Sequence, residues 1–222
     1  MDGTGKLFLD FMKTLPGDLR KEAQIYPSNL VLSYDDLTKL IRTACEGSPP
    51  FVLLAESFST PVAIRVAAEN PPNLKGLILC AGFATSPVRG ITRWLASALA
   101  PVLMRAPLPD IAIRTLLLQR NAAKSLVADL EAVFRCVEPA VLVARLREVL
   151  RCDVRHDLGQ IKVPLLYLHA KRDRLVGPRS LEEFRVIQAG ARVVSLDGPH
   201  LLLQSSRVET ARVVTNFLRE IP

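Results

Sequence analysis

The sequence predicts an α/β fold, a mostly parallel sheet with helices on both faces. Three observations lead there. Short apolar runs alternate with stretches whose apolar residues recur at three- and four-residue spacing. The runs are apolar throughout rather than every second residue, which marks strands buried on both faces. One long segment, 86–160, has the helical spacing but no run of its own, so it reads as an insertion into the alternating pattern.

In chain order, Ala23-Gln-Ile-Tyr26 is the first and weakest run, expected as a strand over 23–27. Asp35 to Cys45 has helical spacing. Ser48-Pro-Pro then breaks the chain ahead of Phe51-Val-Leu-Leu-Ala55. A turn of small residues leads to an amphipathic stretch, Pro61 to Asn70, whose Pro61 lacks only an N–H that the first helical turn leaves unused. Leu77-Ile-Leu-Cys80 is the third run and stops at Ala81-Gly82. The insertion reads as helices over about 90–104, 109–119, 122–135 and 138–150, separated by Pro107, Pro109, Asn121 and Pro139. Val163-Pro-Leu-Leu-Tyr-Leu168 and Ala191-Arg-Val-Val-Ser-Leu196 are the last two runs, with helices at Pro178–Gln188 and Leu201–Leu218. The organisation expected is a core of 1–85 and 161–222 carrying a helical cap, or lid, of 86–160 over the strand ends. In such sheets the active site forms in loops at the carboxyl ends of the strands.

Composition narrows the functional classes. A chain of 222 residues builds one core of ordinary size. Its four cysteines include no CxxC, and Cys152 with His156 is half of a zinc spacing without a second half. Neither a disulfide framework nor a metal is expected, and no cofactor. No uncharged stretch exceeds 13 residues, and Trp94 to Met104, 11 residues long, contains Pro101; a membrane helix needs about 20. With the start MDGTG lacking a basic and then apolar leader, a cytoplasmic protein is expected. The net charge of +7 raises the question of nucleic acid. Eleven of the 29 basic residues lie in 86–160 among seven acids, no run of Lys/Arg exceeds two, and aromatics are scarce. Scattered solvated faces, and no nucleic-acid partner, are the expectation.

The chemistry concentrates after the second run, in Ala55-Glu56-Ser57-Phe58-Ser59. A serine between small residues at a strand-to-helix corner meets the requirement of a nucleophile elbow, because the tight turn brings two backbones close. The Phe58 N–H, opening the next helix, is placed to donate to a developing oxyanion. Both glycines of the usual Gly-x-Ser-x-Gly are replaced, so a serine that merely caps a helix competes with this reading. A serine nucleophile needs a base, and the base an orienting acid. Of three histidines, His156 lies in the insertion, His169 ends a strand, and His200 sits in Asp197-Gly-Pro-His200 just beyond the last strand. Asp173, in His169-Ala-Lys-Arg-Asp173, likewise follows a strand; Asp197, three residues before His200, competes as the acid. Ser57, Asp173 and His200 each emerge at a carboxyl-end loop, and this order and placement single them out.

On these residues the sequence resembles the α/β-hydrolase superfamily over nearly its whole length. The resemblance implies the α/β-hydrolase fold, with Ser57 as nucleophile, His200 as base and then acid, Asp173 as orienting carboxylate, and Phe58 as one oxyanion donor. Asp2-Gly-Thr-Gly5 resembles the loop that supplies the second donor, which would come from Met1 or Asp2. A phosphate-binding loop is the rival there, but no strand precedes it and no Lys-Ser/Thr follows. The superfamily sheet has eight strands, and five are found here. Either the chain is an N-terminally truncated form, with an exposed strand edge, or the strand 23–27 pairs directly with 51–55.

The expected activity is hydrolysis of carboxylic esters of small to medium apolar acids. Trp94, Leu99, Leu103 and Met104 are expected to line the acyl pocket. The same machinery also suits an acyltransferase or thioesterase, and a non-catalytic binder of the same fold is the competing class. The expected partner is a small-molecule ester, with a homo-oligomer through an exposed strand edge left open.

Overall fold

Residues 1–105 and 109–221, apart from the side chain of Leu103, are described by the structure, a computed structural model. A short 3-10 turn and α1 (Leu9–Thr14) precede an extended loop and α2 (Tyr34–Cys45). Ser33 starts α2: its hydroxyl accepts from the Asp36 N–H and the Asp36 carboxylate from the Ser33 N–H. This reciprocal pair satisfies two amides that a helix start leaves open. β1 (Phe51–Glu56), α3 (Thr60–Ala68) and β2 (Leu74–Cys80) form the first βαβ unit. The insertion follows as α4 (Gly90–Leu103), α5 (Asp110–Ala112) continued by a π turn at Ile113–Leu117, α6 (Lys124–Arg135), α7 (Pro139–Arg151) and α8 (Arg155–Gln160). β3 (Leu165–Ala170), α9 (Pro178–Ile187), β4 (Arg192–Leu196), α10 (Leu202–Ser205) and α11 (Arg207–Glu220) complete the described chain.

The strands pair in parallel in the order β1-β2-β3-β4. Successive side chains along a strand point to opposite faces, so each strand feeds two cores. Leu77, Leu79, Leu165 and Tyr167 pack with Leu37 and Ile41 of α2, Ile64 of α3, Leu158 of α8 and Phe184 of α9. Ile78, Cys80, Leu166 and Leu168 pack on the other face with Phe11 of α1, Leu202 and Leu203 of α10, and Val214 and Phe217 of α11. The fully apolar runs are thus explained: both faces of β2 and β3 are covered.

Three expectations need correction. Ala23–Pro27 is not a strand, so the sheet has four strands rather than five among the described residues, and β1 pairs with β2 alone. The segment is an extended loop in which Ile25 is exposed, Tyr26 is buried, and the Tyr26 N–H bonds to the Gly3 carbonyl. Flanked by charged and amide side chains, one buried residue is too little apolar surface for a strand inside a sheet. The helix expected over 201–218 breaks at Ser206 into α10 and α11. α8 was not anticipated; it lies within 86–160, yet its Leu158 is fully buried in the core beside α3. Pro107 lies outside the described residues.

The insertion leaves and rejoins the core through one crossing. The Ser86 N–H donates to the Cys152 carbonyl (2.9 Å) and the Val154 N–H to the Ala84 carbonyl (2.8 Å). Its Ile113, Leu118, Val127 and Leu130 pack against Leu201, and the Leu117 carbonyl accepts from the Leu201 N–H (3.1 Å). The helical segment therefore rests on the loop after β4, at the carboxyl end of the sheet. Among the described residues no helix is long and apolar enough to cross a membrane.

Phe184 is fully buried and its ring stacks on Tyr167 with centroids 4.3 Å apart. Replacing it with alanine is expected to cost about 3–5 kcal/mol. Urea unfolding checks this, and a loss under about 1 kcal/mol would contradict the assigned core.

Candidate active site

The corner after β1 is built by backbone geometry. Glu56 is extended (φ −122°), Ser57 is left-handed (φ 54°), and Ser57–Ser59 form a 3-10 turn that runs into α3. Left-handed backbone at a residue with a Cβ costs on the order of 1–3 kcal/mol and persists only where its surroundings hold it. Here the Thr60 hydroxyl donates to the Ser57 carbonyl (2.7 Å) and the Tyr34 hydroxyl to the Phe58 carbonyl (3.1 Å). The Phe58 ring is buried between Tyr26 and Tyr34. The missing elbow glycines also find their explanation. Ser59 has ordinary helical angles (φ −80°, ψ −9°), which need no glycine. The tight approach falls instead at Gly82 after β2, where a Cβ would meet Thr60 Cγ2 at 3.0 Å.

His200 and Asp173 come to Ser57 from loops after β4 and β3. The Lys171 N–H bonds to the Leu196 carbonyl (2.9 Å) and the Arg172 N–H to the Gly198 carbonyl (3.0 Å), which locks the two loops side by side. Asp173 Oδ2 lies 2.8 Å from His200 Nδ1, and Ser57 Oγ lies 2.6 Å from His200 Nε2. The side chains of His200 and Asp173 are 3% and 2% exposed. Asp173 Oδ1 accepts the N–H groups of Leu175 (2.8 Å) and Val176 (2.9 Å). These bonds fix the carboxylate, which accepts the Nδ1 proton and leaves Nε2 as acceptor for the Ser57 hydroxyl. Such an array can draw a proton from a serine as it attacks a carbonyl.

The other candidates sort by position. Asp197 faces solvent and pairs with Arg172 at 2.9 Å. His169 contacts the Ser195 hydroxyl (3.2 Å), and burial holds its pKa below the ordinary imidazole value. His156 is exposed on α8. Phe58 carries the first amide after the serine, at the open start of the 3-10 turn, where such amides lack partners within the turn. Met1 packs into the same core cluster as Phe58. The Asp2 carboxylate is turned back onto the Thr4 N–H and hydroxyl (2.9 and 2.7 Å). Trp94 and Leu99, expected to line the acyl pocket, are 67% and 50% exposed on α4. Met104 packs with Val137, Val141 and Leu142. The side chain of Leu103 lies outside the described residues.

Two buried charges at the site went unrecognised in the sequence. Glu56, next to the serine, accepts from the Leu203 N–H (3.2 Å) and Gln204 Nε2 (2.9 Å), so it ties the corner to α10 just beyond His200. Burial raises its pKa above the usual carboxylate value. A glutamate ending an apolar run was the available signal. Arg145 of α7, 2% exposed, donates to the carbonyls of Met1 (2.6 Å), Asp2 (2.9 Å) and Pro27 (2.8 Å). It stands about 6.0 Å from the Phe58 ring centroid. It looked like any arginine of an amphipathic helix, and nothing local in the sequence set it apart.

Fold and site together define an α/β hydrolase. Residues 20–196 match the serine aminopeptidase S33 family, and the chain belongs to it. It is 26% identical over 203 residues to a pimeloyl-[acyl-carrier protein] methyl ester esterase of Neisseria meningitidis serogroup C, covering 86% of this chain and 79% of that protein. Among solved structures, a thermophilic esterase from Thermogutta terrifontis superposes with a TM-score of 0.79 at 19% identity, covering 98% of this chain and 86% of the other. A bromoperoxidase from Bacillus anthracis superposes with a TM-score of 0.82 at 14% identity, covering 98% and 88%.

Glu56→Leu leaves the Leu203 amide and the Gln204 side chain without their acceptor and is expected to cost about 1–3 kcal/mol. Thermal unfolding measures this; an unchanged midpoint would mean that the carboxylate does not hold α10.

Proposed function

We propose that the chain is a serine hydrolase of carboxylic esters with small to medium apolar acyl groups, working through an acyl-enzyme on Ser57. The observation that carries this is the continuous array from Ser57 through His200 to Asp173, buried at one rim of the sheet. Ser57 Oγ attacks the ester carbonyl as His200 Nε2 takes its proton. Asp173 holds the imidazole and stabilises its charged form. The carbonyl oxygen, now negative, takes the Phe58 N–H as one donor and a backbone N–H of Met1 or Asp2 as the second. His200 returns its proton to the departing alcohol. Water then attacks the acyl-enzyme with His200 again as base, and the acid leaves.

The relatives support the reaction class. The Neisseria relative is named a methyl ester esterase, and the Thermogutta neighbour an esterase. The helices of 86–151, resting on Leu201 beside His200, take the part of a cap over the site.

Hydrolysis of p-nitrophenyl butyrate tests the proposal. Ser57→Ala is expected to lower kcat by at least about 10³-fold, and His200→Ala comparably, with folding intact. Activity indifferent to Ser57 would overturn the assignment.

A further inference from the structure

The basic residues that look scattered along the sequence do not stay scattered in the fold. Five arginines line one cavity of about 770 Å³ at the junction of insertion and core. Arg89 and Arg93 come from the start of α4, Arg151 and Arg155 from the segment returning to the core, and Arg179 from the first turn of α9. Among the described residues the one carboxylate in the lining, Asp153, is engaged by Arg155 (2.6 Å), while Arg179 pairs with Glu183 (2.9 Å). Among the described residues no carboxylate pairs with Arg89, Arg93 or Arg151. Gathering guanidinium groups of one sign is unfavourable without a counter-charge. Arg89 at the start of α4, with no acid in its first turn, adds to the cost, since a helix N-terminus favours anions. Neither Ser57, Asp173 nor His200 touches this cavity.

We propose that this cleft is a binding site for a small molecule bearing phosphate, held by the forks of Arg89, Arg93 and Arg151. Planar guanidinium forks match phosphate oxygens in pairs. The volume is in the range of small-ligand sites, about 300–1,000 Å³, and exceeds what an inorganic phosphate fills. Among the described residues no aromatic side chain lines the cleft, so these offer no platform for stacked bases and do not suit single-stranded nucleic acid. The site sits on the crossing where residues 84–86 meet 152–154. A phosphate group held by these three side chains bridges the start of α4 and the end of α7, the two ends of the insertion. This site does not rest on hydrolysis at Ser57.

Isothermal titration with sodium pyrophosphate and with adenosine diphosphate, against sodium chloride at matched ionic strength, tests it. The wild type is expected to bind a phosphate probe, with tighter binding of adenosine diphosphate if the phosphate is carried on an organic group and equal binding if it is not. Arg93→Ser with Arg151→Ser is expected to weaken binding at least about tenfold. Arg20→Ser with Lys39→Ser removes equal charge elsewhere and is expected to leave binding unchanged. Should the double serine variant fail to fold, Arg93→Lys with Arg151→Lys keeps the charge, removes the forks and is expected to weaken binding several-fold. No binding beyond the chloride control, or equal loss in the remote variant, would overturn the site.

Discussion

Everything at the candidate site follows from one backbone constraint, the left-handed turn at Ser57. A strand that ran on would bury the hydroxyl in the sheet, and a helix begun one residue earlier would turn it away. The turn at φ 54° instead presents the oxygen to His200, 143 residues further along the chain, at 2.6 Å. The strain at this residue is balanced by its surroundings: Thr60 and Tyr34 hold the two carbonyls of the turn, and the Phe58 ring is buried between two tyrosines. The parallel sheet does the rest. Its strands all end at one rim, so loops after β1, β3 and β4 converge without any long connection having to reach.

Buried polar groups then fix the loops that the apolar core cannot. Hydrophobic packing sets how deep an element lies but has no directional preference. Glu56 gives direction between the corner and α10, and Arg145 between α7 and the first residues of the chain. A buried polar group costs free energy unless its partners are in place, so each of these ties favours one arrangement over its neighbours. Gly3 belongs to the same construction: a Cβ there would lie 2.8 Å from Tyr26 Cβ and 3.0 Å from Arg145 Nη1, and its φ is 68°.

What could be read from the sequence follows the physical range of each signal. Strands β1 to β4 were legible because burial on both faces leaves an uninterrupted apolar run, and α3 and α9 because Pro61 and Pro178 fall in first helical turns. Ser57, Asp173 and His200 were legible because each falls just past such a run, and parallel topology makes those places adjacent. The run at Ala23–Tyr26 misled because local apolarity does not report whether a partner strand exists. For Trp94 and Leu99 the spacing identifies an apolar face of α4 without saying what covers it. Glu56 was marked only by its place at the end of an apolar run, and Arg145 was illegible: an arginine becomes structural only through residues far along the chain. The arginines of the junction cleft were hidden for the same reason, since Arg89 and Arg151 are 62 positions apart and meet only when the insertion closes on itself.

Ser57 is proposed as a nucleophile activated by His200. The most direct measurement is mass-spectrometric mapping of the adduct formed with a fluorophosphonate probe. One adduct is expected, on Ser57, formed rapidly by the wild type and lost in His200→Gln. Labelling on another serine, or labelling of Ser57 that proceeds equally well without the imidazole, would contradict it.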